Sequence, residues 1–219
     1  MKNNIMTIEK FKKEVGVHIT TNHNGKMTGM QSLSTSCAHN PFCQARSKDP
    51  NSICSKCYAQ RQMKMYKNMD ACFTKNSDVL CNEIIDKDLL PTLNCLWFRF
   101  ESFGDLANET QLINYFNICN KNPNTRFALW TKNPQIIENV LNNGYKKPKN
   151  INLVLSSLYM NDIADFSKYK WVDRVFSVFD EEYIKENDVE INCGGRSCMS
   201  CLKCYKKSNK IFYINEKLK

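Results

Sequence analysis

Apolar residues in this chain fall into short runs that alternate with amphipathic stretches. Five runs have the length and the β-branched or aromatic content of strands. They cover residues 27–34, 95–101, 126–130, 151–156 and 174–179, and a sixth run at 211–214 predicts an edge strand. The run at 151–156 is apolar without a break, which is typical of a parallel strand covered on both faces.

Helical spacing of apolar residues separates these strands. It begins at Tyr58 and returns after Asn108, which can cap a helix with Gln111 as its capping-box partner. Pro134 suits the first turn of a further helix, which Gly144 ends. The alternation of strands and helices predicts a parallel α/β fold. Because there are fewer than the eight strands of a full barrel, we predict a partial (β/α)6-like parallel barrel, with an open doubly wound sheet as the alternative.

The predicted domain organisation is simple. Residues 1–25 are polar apart from a short amphipathic start and form an N-terminal extension, and residues 26–219 form one α/β domain. A chain of 219 residues is long enough to bury a substantial hydrophobic core. No glycine-rich phosphate loop follows a strand, so the sequence gives no support to nucleotide binding of those types.

A loop of more than twenty residues follows the first predicted strand, and it is the first candidate metal site. Loops of this length in a compact domain are usually functional or held in place by a ligand. Pro41 and Pro50 argue against a regular helix in it. Four cysteines in the spacing C-x5-C-x10-C-x2-C occupy residues 37–57: Cys37, Cys43, Cys54 and Cys57. This set suits zinc or an iron–sulfur cubane, and His39 is an alternative ligand.

The second candidate metal site is the segment 193–205. Its four cysteines, in the spacing C-x4-C-x2-C-x2-C, are Cys193, Cys198, Cys201 and Cys204. Two-residue gaps of this kind wrap a cubane in bacterial ferredoxins, whereas zinc ribbons separate two knuckles by a dozen or more residues. We therefore predict two [4Fe-4S] clusters, one for each cysteine set, with zinc as the alternative metal.

The cellular compartment decides whether the twelve cysteines form disulfides or bind metal. The N-terminal residues lack the apolar core and cleavage site of a signal peptide, and no apolar run approaches the ~20 residues of a membrane span. We therefore expect a cytoplasmic protein with no membrane partner, in which clustered thiols stay reduced and bind metal. The net charge of +9 leaves nucleic acid open as a partner, although no stripe of interleaved aromatic residues marks a binding face.

Polar residues follow the predicted strands, where parallel α/β folds place their ligands. The catalytic candidates are Glu101 and Asp105, as acid–base or amine-binding groups, and Lys132, as an anion-binding group. The alternatives are a salt bridge from Glu101 to Arg99 or Arg126, and a turn at Asp105. The cofactor-binding candidates are Ser102, Gly104, Thr131 and Ser156. We expect both cysteine sets to lie at this same edge of the sheet.

Four segments of the sequence resemble a known family. They are SICSKCYAQR at 52–61, FRFESFGDL at 98–106, PNTRFALWTKN at 123–133 and KCY at 203–205. Together they resemble the phage gene-product-88 family, proteins of phages and mobile elements with little assigned biochemistry; the elements C-x-x-C-Y-A and R-x-x-S-x-G-D are the most specific. The organisation of that family is similar to that of TIM-barrel-like radical SAM proteins, which implies a cysteine loop after the first strand and an auxiliary cysteine set near the C-terminus. This chain lacks the C-x3-C-x2-C loop of the radical SAM superfamily, so the similarity concerns the fold and does not establish SAM cleavage.

These observations favour a redox or radical-type enzyme with two clusters, acting on a small molecule or with a redox partner that the sequence does not identify. If one cysteine is spared from ligation, the open iron can bind S-adenosylmethionine, which is an optional further cofactor. Two alternatives stay open. One is a zinc-stabilised nucleic-acid-binding protein, and the other is an iron–sulfur protein with a purely structural or electron-transfer role.

Overall fold

The computed structural model describes residues 5–208 and 212–218. Its helices are α1 (Ile8–Glu14), α2 (Pro41–Ser47), α3 (Tyr58–Met65), α4 (Lys67–Leu80), α5 (Glu109–Lys121), α6 (Pro134–Asn142), α7 (Glu181–Asn187) and α8 (Cys198–Cys201). Its strands are β1 (Thr20–Thr21), β2 (Gln31–Leu33), β3 (Trp97–Phe100), β4 (Arg126–Thr131), β5 (Ile151–Ser156), β6 (Arg174–Phe179) and β7 (Phe212–Lys217). The predicted edge strand corresponds to β7, although residue 211, where we placed its start, lies outside the described residues.

The strands form one seven-stranded sheet in chain order, from β1 to β7. Strands β2 to β7 are parallel to their neighbours, and only β1 pairs in the antiparallel sense. The predicted α/β class with a mostly parallel sheet is therefore confirmed. The order has no point of reversal, which a doubly wound sheet requires. The curvature of a partial barrel stays a prediction.

One face of the sheet packs against helices and forms the main core. The register pairs Phe98 with Phe127 and Phe127 with Ile151, so large apolar side chains from three strands stand side by side. Helices α1, α5 and α6 cover them, and Phe100 stacks on Tyr115 of α5 with ring centroids 4.2 Å apart. Burial of this continuous apolar surface is the principal stabilisation of the fold.

Part of the predicted N-terminal extension, residues 1–25, contributes to this core. Phe11 of α1 is fully buried, and Val17 and Ile19 lie beside it in the same apolar cluster. The side chain of Asn76 on α4 accepts a hydrogen bond from His18 N (2.7 Å) and donates to His18 O (3.0 Å). The N-terminal segment is thus packed on the domain by apolar and polar contacts.

The helix starts show where local sequence rules apply and where they do not. Asn108 caps α5 by accepting from Gln111 N (3.0 Å), as predicted, but Gln111 Oε1 accepts from Ala107 N instead of closing the capping box. The prediction of no regular helix at Pro41 is wrong. Pro41 occupies the first turn of α2, where its missing N–H costs nothing, and Asn40 Oδ1 accepts from the next two backbone N–H groups.

The opposite face of the sheet is covered by chain without a long helix. Arg99, Ala128 and Asn152 form a row across it, and we call it the second face. Asn152 Nδ2 donates to the carbonyl oxygens of Cys204 (2.9 Å) and Lys206 (3.1 Å), so the C-terminal cysteine segment lies on this face. Within the described part of the chain, no helix is long and apolar enough to cross a membrane.

Candidate metal centres

The first cysteine set, Cys37 to Cys57, forms one group in the fold. The thiols of Cys37 and Cys57 interact, Cys37 Sγ donates to Met63 Sδ (3.3 Å), and the negative charges of Cys54 and Cys57 act on Cys43. Cys37 is 1% exposed, and the other three cysteines are half-buried. The cysteines that the sequence separates by up to ten residues are therefore neighbours in space.

The surroundings of this set shift the pKa values of its four thiols in different directions. A hydrogen bond from Cys37 lowers the pKa of Cys57, and backbone N–H groups at the start of α3 contribute because Cys57 caps that helix. The pKa of Cys37 is raised, first by its hydrogen bond to Cys57 and then by burial. Burial raises the pKa of Cys43 and of Cys54, and the Lys132 ammonium opposes the rise at Cys54.

Glu101 lies beside this set but is enclosed by protein. It is 2% exposed and has a backbone φ of +52°, a conformation that non-glycine residues rarely adopt. Its carboxylate accepts hydrogen bonds from Thr35 N (3.2 Å), Gln111 Nε2 (2.7 Å) and the Tyr115 hydroxyl. Burial raises its pKa to about 8, although the hydrogen bonds from Tyr115 and Thr35 lower it. Its partners belong to α5 and to the start of the cysteine loop, so Glu101 ties the two together.

Asp105 is also held from several sides. Its carboxylate accepts from Thr131 Oγ1 (2.5 Å), Lys132 N (2.9 Å) and Leu106 N (2.8 Å). Burial raises its pKa, and the Lys132 charge opposes this. The carbonyl oxygen of Asp105 accepts from Asn40 Nδ2 at 2.8 Å. The structure thus brings together Asp105, Thr131 and Lys132 beside the first cysteine set, while the catalytic roles stay predictions.

The remaining predicted cofactor-binding residues divide into two groups. Ser102 is buried and shares a hydrogen bond of 2.8 Å with the Ser34 hydroxyl. Gly104 has a φ of +104°, and a Cβ there would lie 2.7 Å from Glu101 Oε2. Ser156 is buried at the end of β5, and within the described chain no side-chain hydrogen bond joins it to the other candidates. Ser102 and Gly104 therefore lie close to Glu101 and its partners, whereas no described hydrogen bond connects the Ser156 side chain to this group.

The second cysteine set also forms one group. The charges of Cys198 and Cys201 act on Cys193, and those of Cys193, Cys198 and Cys201 act on Cys204. Burial raises the pKa of Cys204 to about 12, and the Arg99 guanidinium opposes this rise. Lys26 Nζ lies 3.8 Å from Cys193 Sγ and forms an ion pair with Glu216.

The expectation that both sets lie at the carboxyl ends of the strands is wrong for the Cys204 end of the second set, whereas Cys193 pairs with Glu216 near the carboxyl end of β7. Arg174, the first residue of β6, donates from Nε to Lys203 O (3.3 Å), and Asn152 near the start of β5 holds Cys204 O. The segment around Cys204 therefore lies beside the amino-terminal halves of these strands. The reason is that the chain after α7 crosses back over the second face before it enters β7.

Arg99 was missed as a candidate functional residue, although it is the first residue of the R-x-x-S-x-G-D element. Its guanidinium stacks over the Trp130 ring at 4.0 Å, its Nε is buried without a hydrogen-bond partner among the described residues, and its charge acts on Cys198 and Cys204. The positive charge of Arg99 also acts on Tyr58, and so do the negative charges of Cys57 and Glu216. Arg99 and Tyr58 thus lie between the two cysteine sets.

Three partners of Glu101 were also missed. Thr35 lies at the start of the cysteine loop, whereas Gln111 and Tyr115 lie one turn apart on α5; of the three, only Gln111 was noticed, as a helix cap. Sequence spacing carries no signal for such a cluster, because its members meet only when α5 packs on the sheet.

Both sets have the chemistry of a metal-binding donor group. All twelve cysteines are described, and none is in a disulfide. A cation lies near each set, Lys132 at the first and Arg99 at the second, and each can offset part of the negative charge of four thiolates. As the side chains stand, no three ligand-type groups among residues 5–208 and 212–218 meet the geometry of a bound ion. The donor atoms fit a thiolate-bound metal in kind and number.

The comparisons with known proteins give one finding. A family model described as Gene product 88 matches residues 6–213. No curated protein and no solved structure matches the chain. The family description names no activity, substrate or cofactor.

Proposed function

The chain belongs to the gene product 88 family, as its motifs predicted, and on that premise we propose that it is an iron–sulfur protein with two four-cysteine centres. The first centre comprises Cys37, Cys43, Cys54 and Cys57, and the second comprises Cys193, Cys198, Cys201 and Cys204. Each would hold a [4Fe-4S] cluster. We further propose that the sheet curves as a partial barrel and that the protein is of phage or mobile-element origin.

One observation carries the proposal. Each of the two sets read from the sequence becomes a group of mutually interacting thiols in the fold, and no disulfide consumes any of them. Eight thiols in two separate groups are the full ligand sets of two cubanes. A structural zinc site has the same ligand count, but the two consecutive C-x2-C gaps from Cys198 to Cys204 are the ferredoxin pattern.

The surroundings of the first centre suggest where chemistry takes place. Asp105 and Lys132 lie at the carboxyl ends of β3 and β4, where parallel α/β folds bind substrates. The Lys132 ammonium is half-buried and can bind an anionic group of a substrate close to the thiols. Glu101 is enclosed by its own partners, so we assign it to holding the Thr35–Cys37 backbone in place. A redox or radical-type reaction at this centre is the activity we propose.

S-adenosylmethionine is a further option at the first centre. It requires an iron without a fourth protein ligand, and His39 or a spared cysteine would change the ligand count there. Electron paramagnetic resonance with and without S-adenosylmethionine distinguishes these cases.

Metal analysis of protein purified without oxygen tests the proposal. We expect a brown protein with broad absorbance near ~400 nm and about eight irons and eight sulfides per chain, four per cubane. Reduction with dithionite should bleach the absorbance and give an electron paramagnetic resonance signal, and a change in that signal on adding S-adenosylmethionine would reveal an open iron. A colourless protein with stoichiometric zinc would contradict the iron–sulfur assignment and favour the zinc-stabilised alternative, which salt-dependent binding of nucleic acid would then test.

A further inference from the structure

The C-terminal cysteine segment has an unusual charge distribution. Residues 193–208 contain four basic residues and no acidic residue. Arg196, Lys206 and Lys207 are exposed, and no ion pair to them is found among the described residues. The fourth, Lys203, donates to Asn192 O at 3.2 Å and fixes the segment to the chain before it. Three unneutralised positive charges therefore surround the second centre.

The second centre is also approachable from outside. A surface cleft of about 500 Å³ is lined by Cys201 together with Arg196, Lys203 and the glycine pair Gly194–Gly195. Glu190 is the acidic group at its edge. A Cβ added at either glycine would have no neighbouring atom within 4 Å, so other parts of the protein do not cover the backbone here. A second protein can therefore come close to the sulfur of Cys201.

Apolar side chains lie beside the positive charges. Met199 is 38% exposed, and Phe212 is 40% exposed. Phe212 lies against Arg174, whose Nε donates to Lys203 O, so it borders the cysteine segment. Exposed apolar residues inside a charged rim are the composition of a protein–protein contact.

Aromatic rings cover part of the first centre. Cys37 is 1% exposed, and Phe103 packs against both Phe73 and Tyr58 beside this set, while Tyr58 is itself 51% exposed. The cleft at Cys201 is what makes the second centre the docking candidate. Contacts lead from each centre toward the other: Tyr58, next to Cys57, donates to Ser102 O (2.5 Å), and Trp130, which stacks on Arg99, packs against Tyr205, next to Cys204.

We propose that residues 193–208 are the docking surface for an acidic electron-donor protein. The donor is oxidised by one electron, and the second centre is reduced by that electron at the Cys201 side. The electron then passes to the first centre. Complementary charge selects an acidic donor and speeds its association. This inference rests on the proposed function, because it requires that the second set hold a redox-active cluster.

The test measures electron transfer from reduced flavodoxin, an acidic one-electron donor, by stopped-flow absorbance. The probe variant is R196E/K206E/K207E, and the control is K12E/K13E/K121E, which reverses three exposed lysines of α1 and α5, the helices that pack on the opposite face of the sheet. We expect the bimolecular rate for the probe variant to fall on the order of ten- to a hundred-fold at low salt, and the wild-type rate to fall as salt rises. Reduction by dithionite, which needs no protein docking, should stay within about two-fold in both variants. The neutral variant R196Q/K206Q/K207Q should lie between the wild type and the probe variant.

Two results would overturn the docking surface. One is a probe variant that accepts electrons from flavodoxin at the wild-type rate. The other is a control variant whose rate falls as much as that of the probe variant, which would indicate that only the net charge of the protein matters. A probe variant that keeps its electron-transfer rate but loses salt-sensitive binding of a DNA or RNA oligomer would assign the surface to nucleic acid instead. A wild-type protein that contains no iron and is not bleached by dithionite refutes the proposed function itself, whereas a bleachable protein with an unchanged flavodoxin rate refutes the docking surface alone.

Discussion

The two cysteine regions have the same number of thiols and different surroundings. The first, Cys37 to Cys57, lies at the carboxyl ends of the strands beside two buried carboxylates, Glu101 and Asp105. The second, Cys193 to Cys204, lies on the second face beside Arg99 and Lys26 and opens to solvent at Cys201. Lys132 acts on the first set, and Arg99 and Lys26 act on the second, so each region has a cation that offsets part of its thiolate charge; the regions differ in their neighbouring carboxylates and in the cleft at Cys201. Two groups of four thiols thus stand in different surroundings.

Hydrogen bonds between side chains and backbone groups hold both regions, but the side chains come from different parts of the fold. Side chains hold the first one: Gln44 Nε2 donates to Cys37 O (2.9 Å), and Ser77 Oγ accepts from Ser36 N (2.9 Å). The backbone of the second one is held by Asn152 and Arg174, which reach from the sheet to its carbonyl oxygens. A buried loop with many polar contacts tolerates less change than a segment lying on a surface, and this difference leads to three predictions.

The largest effect is expected from removing one ligand in each region. Both C57S and C201S should reduce the iron content from about eight to about four per chain. C57S should also lower the thermal midpoint by several degrees more than C201S, because it leaves the half-buried loop without its metal anchor. Calorimetry under anaerobic conditions together with iron analysis measures both effects.

C95A is the matched control for these ligand variants, since Cys95 belongs to neither set and is half-buried. It should keep about eight irons. An equal fall of the thermal midpoint in C57S and C201S would show that the two regions contribute equally to the stability of the fold.

An intermediate effect is expected from a glycine in each region. Gly104 and Gly195 both have positive φ, +104° and +66°. A Cβ at Gly104 would lie 2.7 Å from Glu101 Oε2 and 2.8 Å from Thr35 O, whereas one at Gly195 meets nothing within 4 Å. G104A should therefore cost about 2–4 kcal/mol of unfolding free energy, from backbone strain and overpacking together, and G195A about 1 kcal/mol. Denaturant unfolding measures both, and similar costs would refute the tighter packing of the first region.

The third effect is spread over several pH units and concerns the pH dependence of stability. Burial raises the pKa of Glu101 to about 8 from an ordinary 4.5, so between these values the folded protein keeps a proton that the unfolded chain has lost. Stability must then fall as pH rises through this window, with a slope of at most about 1.4 kcal/mol per pH unit from this group. E101Q, which cannot ionise, should remove that slope.

The exposed Glu83 provides the control for this measurement. E83Q should keep the wild-type pH dependence of the unfolding free energy between pH 5 and 8, a window taken from the Glu101 shift. A wild-type slope retained in E101Q would mean that Glu101 is ionised in the folded protein.

Much of the fold could be predicted from local pattern. The continuous apolar run at 151–156 and the starts of α5 at Glu109 and α6 at Pro134 agree with the structure, because period and capping are properties of neighbouring residues. Strand β1 and helix α2 were not predicted. Strand β1 has two residues and exists through its pairing with β2, and α2 begins at a proline that we took for a helix breaker.

The sequence by itself determined the α/β class, the positions of the main strands along the chain, and the family, because each of these follows from spacing along the chain. Only the tertiary structure decided that Thr35, Gln111 and Tyr115 enclose Glu101, that the second set lies on the second face, and that Arg99 and Tyr58 lie between the sets. These contacts join residues separated by tens of positions, and they are set by how helices and chain segments pack on the sheet. Packing of that kind depends on the whole core at once, so no local spacing records it.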